Sequence, residues 1–117
     1  MSRDVVVLVP QMPDVTAVTR AFEAVGPDLL VDASGAAGLT HLRAPATGAV
    51  LLTIEEPILV AVPGEVARLL GADVASRVST PVWWLEIRTT GPDTMDLAVR
   101  FAGALVEHLG GAWWPPR

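Results

Sequence analysis

Five consecutive apolar residues, Val5, Val6, Val7, Leu8 and Val9, stand between Asp4 and Pro10. A run this short, rich in β-branched side chains and without a polar alternate, reads as a strand buried in the middle of a sheet. It falls far short of the roughly 18 residues a membrane-spanning helix needs.

A helix follows. Asp14, after Pro13, is placed to cap the first free N–H groups. Val15, Val18, Phe22 and Val25 recur at three- and four-residue spacing, with Thr16, Thr19, Arg20 and Glu23 on the opposite face. Gly26-Pro27 predicts a left-handed exit and a stop.

Beyond it, residues 29–31 predict a short strand and Ser34-Gly35-Ala36-Ala37-Gly38 a flexible turn. Residues 39–44 and 49–55 flank Pro45-Ala46-Thr47-Gly48 as a hairpin. Glu55-Glu56-Pro57 interrupts the apolar run that resumes over residues 58–62, either as a tight turn between two strands or as a bulge in one. The turn is the favoured reading. Pro63-Gly64-Glu65 opens a short helix stopped by Gly71, residues 72–80 read as loop, and residues 81–89 as a clear strand. The last helix starts at Asp93 or Thr94 and ends at Gly110-Gly111.

The order β-α-β-β-β-β-α-β-α places the chain in the α+β class, with a single, mostly antiparallel sheet and helices packed on one face. Residues 1–112 make one domain; residues 113–117, Trp-Trp-Pro-Pro-Arg, read as a tail or the start of a linker.

Composition narrows the function classes. Apolar residues make up 51% of the 117 and charged ones 18%, which excludes intrinsic disorder. Apolar material in this proportion predicts patches left outside the core, the usual mark of an oligomer contact or partner site. The net charge is −5, and the eight arginines are scattered singly, so the basic footprint of a nucleic-acid binder is missing. An acidic balance suits a basic partner. Without lysine or cysteine there is no Schiff-base amine, thiolate nucleophile or disulfide. The N-terminus shows no signal-peptide pattern, so a cytoplasmic location is expected.

Candidate chemistry is thin. His41 sits on a strand face with Leu39 and Arg43, and a catalytic base there needs an orienting carboxylate, for which Glu55 across the hairpin is in range. His108 continues a stripe of Leu97, Phe101 and Ala104 into the last helical turn, beside the negative end of the helix dipole. Glu55 and Glu56 are adjacent and would diverge in a strand rather than share a proton. No phosphate loop or serine-hydrolase elbow is present. No catalytic residue, metal ligand set or cofactor is assigned.

Tryptophan gives the clearest signal. Four are present, paired as Trp83-Trp84 and Trp113-Trp114, and tyrosine is absent. Trp83, Leu85 and Ile87 form one strand face, the expected core face; Val82, Trp84, Glu86 and Arg88 form the other, which is mixed. Trp84 there is either a partner-binding surface with Glu86, Arg88, Trp113 and Trp114, or is covered when the C-terminal tryptophans fold back.

Four segments carry a resemblance: Asp4-Val5-Val6-Val7-Leu8-Val9-Pro10-Gln11-Met12-Pro13-Asp14, Glu56-Pro57-Ile58-Leu59-Val60-Ala61-Val62-Pro63-Gly64-Glu65-Val66, Pro81-Val82-Trp83-Trp84-Leu85-Glu86 and Leu109-Gly110-Gly111-Ala112-Trp113-Trp114-Pro115-Pro116. On these the chain resembles an actinobacterial family, a domain of unknown function, associated with type VII secretion gene neighbourhoods. The resemblance implies a second domain beyond Pro115-Pro116 and hands over no catalytic residue.

Together these features point to a non-enzymatic protein-interaction module, homodimerisation included, in a secretion-associated or assembly role, binding its partner as a chaperone or immunity protein does. The alternative is a small-molecule binder or enzyme with a pocket between sheet and helices, using His41, His108, Glu55 or Glu86. That alternative requires a concave site of several hundred Å³ where polar groups converge.

Overall fold

The apolar run at residues 5–9 lies inside the sheet, and its side chains feed two separate cores. The computed structural model describes residues 4–33 and 38–115. The turn expected at Ser34-Gly35-Ala36-Ala37 lies outside the described residues, as do residues 1–3 of the N-terminus and Pro116 and Arg117 of the tail.

In chain order the elements are β1 (Asp4–Val9), α1 (Val15–Val25), β2 (Leu30–Asp32), β3 (Thr40–Arg43), β4 (Val50–Ile54), β5 (Ile58–Val60), α2 (Glu65–Leu70), α3 (Ala72–Ala75), β6 (Val82–Thr89), α4 (Met95–Leu109) and β7 (Ala112–Trp114). The fold is α+β with one open antiparallel sheet, ordered β2-β3-β4-β6-β1-β7, and β5 also pairs with β6.

Alternation along β1 explains the two cores. Val5, Val7 and Val9 join Leu42, Leu52, Ile54, Leu85 and Ile87 beneath α1 and α4. Val6 and Leu8 point the other way, to Val66 of α2, Val74 of α3, Val82 and Ala112. Each fully buried aliphatic side chain contributes roughly 1.5–3 kcal/mol, so β1 is the strand on which both layers depend. The expectation of helices on one face holds for the long α1 and α4; the short α2–α3 pair covers part of the opposite face, over Val6, Leu8 and Val82.

Local rules account for most element ends. The Asp14 side chain accepts from the Ala17 N–H at 2.8 Å and caps α1. Gly26 ends α1 in an extended conformation (φ 170°) instead of the left-handed one expected, its N–H bonding the Phe22 carbonyl. Phe22 and Phe101 meet with ring centroids 5.0 Å apart and lock α1 to α4. Arg68 donates twice to Glu65 at 2.8 Å across one turn of α2 and holds that carboxyl below its ordinary range. The stretch read as loop over 72–80 contains α3, which exists to bury Val74.

The break at Glu55-Glu56-Pro57 is a bulge, and the favoured turn is corrected. Ile54 faces Ile87 and Ile58 faces Trp84, so three residues (55, 56, 57) oppose two (85, 86) while the chain keeps its direction along β6. Pro57, which has no N–H to offer, sits where the ladder is already broken.

Candidate functional site

Every tryptophan belongs to the sheet. Trp83 and Trp113 pack against the core beneath α1 and α4, whereas Trp84 and Trp114 pack against the α2–α3 core. β7 pairs with β1, setting Trp114 opposite Val6 and Trp113 opposite Val7. Trp84 lies opposite Leu8 on the other side of β1, so Trp84 and Trp114 flank β1 on one face. Both are half-buried. The Trp84 indole N–H donates to Glu86 at 3.2 Å.

Glu86 and Arg88 share that face further along β6. Asp32, His41, Thr53 and Arg88 stand directly opposite one another across β2, β3, β4 and β6. Because Leu42, Leu52 and Ile87 point into the α1–α4 core, this row faces the other way. Its members are tied together: His41 Nδ1 to the Thr53 hydroxyl at 3.1 Å, Arg43 to Asp32 at 3.2 Å, and Arg88 to Glu55. Glu55 therefore engages Arg88 and does not orient His41. Among the described residues, the side chain hydrogen-bonded to His41 is thus a threonine hydroxyl and not the orienting carboxylate that a catalytic base there was expected to have.

Leu97, Phe101 and Ala104 do pack in or against the α1–α4 core, but His108, expected to continue their stripe, is exposed near the end of α4. The buried face of α4 is Ala98, Phe101, Ala102 and Leu105, which Leu109 continues. His41 and His108 thus occupy different layers of the fold. Among the described residues, no group of three or more His, Asp or Glu side chains gathers as a metal site would require.

A pocket between sheet and helix does exist, of about 500 Å³, bounded by Val15, Val18 and Phe22 of α1 and by Leu29, Val31 and Ala33. None of His41, His108, Glu55 or Glu86 lines it. A smaller cavity beside it, of about 220 Å³, takes in Glu55 and Glu56 with Phe22 and Leu85. Polar groups on the larger pocket are Asp14, Thr19, Glu23 and Thr40. The Asp14 carboxylate is already engaged in capping α1.

The most exposed apolar chain segment of the sheet is β5 and its continuation. Ile58 is 63% exposed and Leu59 49%, with Val62 beyond them exposed as well. β5 pairs with β6 on one side, and its other edge has no partner strand among the described residues. From Pro57 to Gly64 the chain carries no charge. Natural edges are normally blunted by charged side chains, and here only the bulge and the flanking prolines limit the open stretch. Sequence reasoning centred on Trp84; the edge in front of it was visible as the apolar run 58–62, but its exposure depends on which strands pair.

No helix among the described residues is long and apolar enough to cross a membrane. No protein-family model, curated protein or solved structure matches the chain.

Proposed function

We propose that this chain is a non-enzymatic protein-interaction module that self-associates through the β5 edge. The observation that carries the reading is the uncharged, half-exposed strand Ile58-Leu59-Val60 with one side unpaired. An antiparallel pairing centred on Leu59 sets Ile58 of one copy against Val60 of the other, apolar on apolar, so the edge is self-complementary under a two-fold axis. Trp84, opposite Ile58 in β6, backs this edge with a rigid aromatic surface.

The resemblance to secretion-associated proteins supplies the setting of the proposal: a cytoplasmic assembly in which the module holds a partner in a chaperone-like or immunity-like manner. The acidic balance of the chain favours basic partners through electrostatic steering.

Size-exclusion chromatography with light scattering tests the reading on the wild type and on Leu59→Lys. A wild-type dimer that becomes a folded monomer when a charge is placed on the edge supports it. A wild type that stays monomeric up to high micromolar concentration, or a Leu59→Lys variant that remains dimeric, overturns it.

A further inference from the structure

The β2 edge differs from the β5 edge in one respect that changes its partner: it is bracketed by acids. Among the described residues β2 pairs with β3 alone, and Leu30 and Val31 are each 50% exposed. Leu30 stands opposite Arg43, on the face of the polar row; Val31 stands opposite Leu42, on the face of α1. Both faces of this edge therefore show apolar surface. The groove beside α1 opens along the same strand, its floor made by Leu29, Val31 and Ala33 and its wall by Val15, Val18 and Phe22.

Charge decides what can occupy it. Asp28 and Asp32 bracket the edge. Two copies pairing antiparallel about Leu30 would set Asp28 against Asp32 twice; Arg43 holds each Asp32 at 3.2 Å, so such a pairing brings no opposite charges together across the edge. Asp14 and Glu23 line the groove, and among the described residues no arginine does. Self-pairing gains no charge complementarity here, whereas a cationic segment is complemented by Asp14 and Glu23.

We infer that the β2 edge and the groove beside α1 form a second docking site, which takes an extended, basic and apolar segment of a partner protein as an added strand. Strand addition covers Leu30 and Val31 together, because a paired strand lies against both faces of the edge. A helix laid in the groove would cover Val31 and leave Leu30 in water. Alternate side chains of the added strand point into the groove, where Phe22 and Val31 receive an apolar one and Glu23 attracts a basic one.

Fluorescence anisotropy with the full chain tests this, using a fluorescein-labelled octapeptide of two Val-Val-Arg-Arg repeats, which sets valine and arginine on each face of the strand, beside its Val-Val-Glu-Glu counterpart. The basic peptide binds saturably and at least about tenfold more tightly than the acidic one. Val31→Lys weakens it by about tenfold, since a lysine on the edge both blocks pairing and repels the peptide. Glu23→Gln weakens it by about two- to fivefold and flattens the salt dependence. Leu59→Lys, on the other edge, leaves binding unchanged, which separates this site from the self-association surface. Amide shifts from ¹⁵N-labelled protein fall on Leu30, Val31 and Phe22. Equal affinity for the two peptides, shifts confined to other strands, loss of binding in Leu59→Lys, or preference for an amphipathic helical peptide of the same charge would each overturn the inference.

Discussion

Ile58 and Trp84 lie directly opposite each other in the β5–β6 pair, on the same face of the sheet, yet their surroundings differ sharply. Trp84 packs against the core formed with α2 and α3, while Ile58, one strand further out, is 63% exposed. The second core ends between them. Substituting the two residues should accordingly have opposite consequences. Ile58→Lys should abolish self-association while leaving the monomer's denaturant midpoint nearly unchanged. Trp84→Ala should cost about 2 kcal/mol of folding stability, because a half-buried indole loses its packing. Light scattering and urea titration on the same two variants check the contrast.

Gly111 controls whether β7 can form. Its φ of 102° lies in the left-handed region, and a Cβ there would collide with the backbone carbonyl of Leu8. The close approach allows Ala112 to pair with Leu8 and carries Trp113 and Trp114 along β1. Gly111→Ala should cost about 3 kcal/mol or more, combining conformational strain with displaced backbone. Urea denaturation measures the loss, and near-ultraviolet circular dichroism should show the tryptophans leaving their fixed environment.

Phe101, 1% exposed, is the largest fully buried side chain and joins α4 to α1 through Phe22. Phe101→Ala should destabilise the fold by about 3–5 kcal/mol. Leucine at the same position should recover much of that, since it refills most of the volume. Equilibrium unfolding of the two variants distinguishes cavity formation from loss of the aromatic contact.

Thr94 is one of two buried polar side chains among the described residues. Its hydroxyl accepts from the Thr90 N–H and donates to the Gly91 carbonyl, both at 3.1 Å, holding the loop that leads into α4. Thr94→Val should cost about 1–3 kcal/mol, because the Thr90 N–H is left without its partner. Thr94→Ser should retain most of the stability. Thermal or urea unfolding of both variants tests whether the hydroxyl or the methyl group matters.

The helices and most strands were legible because their signals are local. Asp14 before a run with helical spacing defines α1, and residues 5–9 define β1, whatever surrounds them. The bulge at Glu55-Glu56-Pro57 was misread as a turn for the opposite reason: proline and two acids break a strand pattern in either case. Only the pairing of residues on both sides with β6 separates a bulge from a reversal. His108 departs from the expectation because the stripe of Leu97, Phe101 and Ala104 runs along the margin of a buried face centred on Ala98, Phe101, Ala102 and Leu105, and the last turn leaves that margin in solvent. α3 was missed because four residues carry no usable periodicity.

Taken by itself, the amino-acid sequence determined the α+β class, the succession of elements apart from α3 and β7, and the absence of the residues that thiol, Schiff-base or phosphate-loop chemistry requires. Those properties follow from backbone preferences and side-chain chemistry over a few residues. The tertiary structure decided that the sheet is covered on one face by α1 and α4 and on part of the other by α2 and α3, that the four tryptophans divide between two cores, and that among the described residues β2 and β5 are left open at their edges. Exposure depends on which distant segments pair, and pairing is settled by the joint burial of many side chains. The same apolar triplet is core in one register and a docking surface in another.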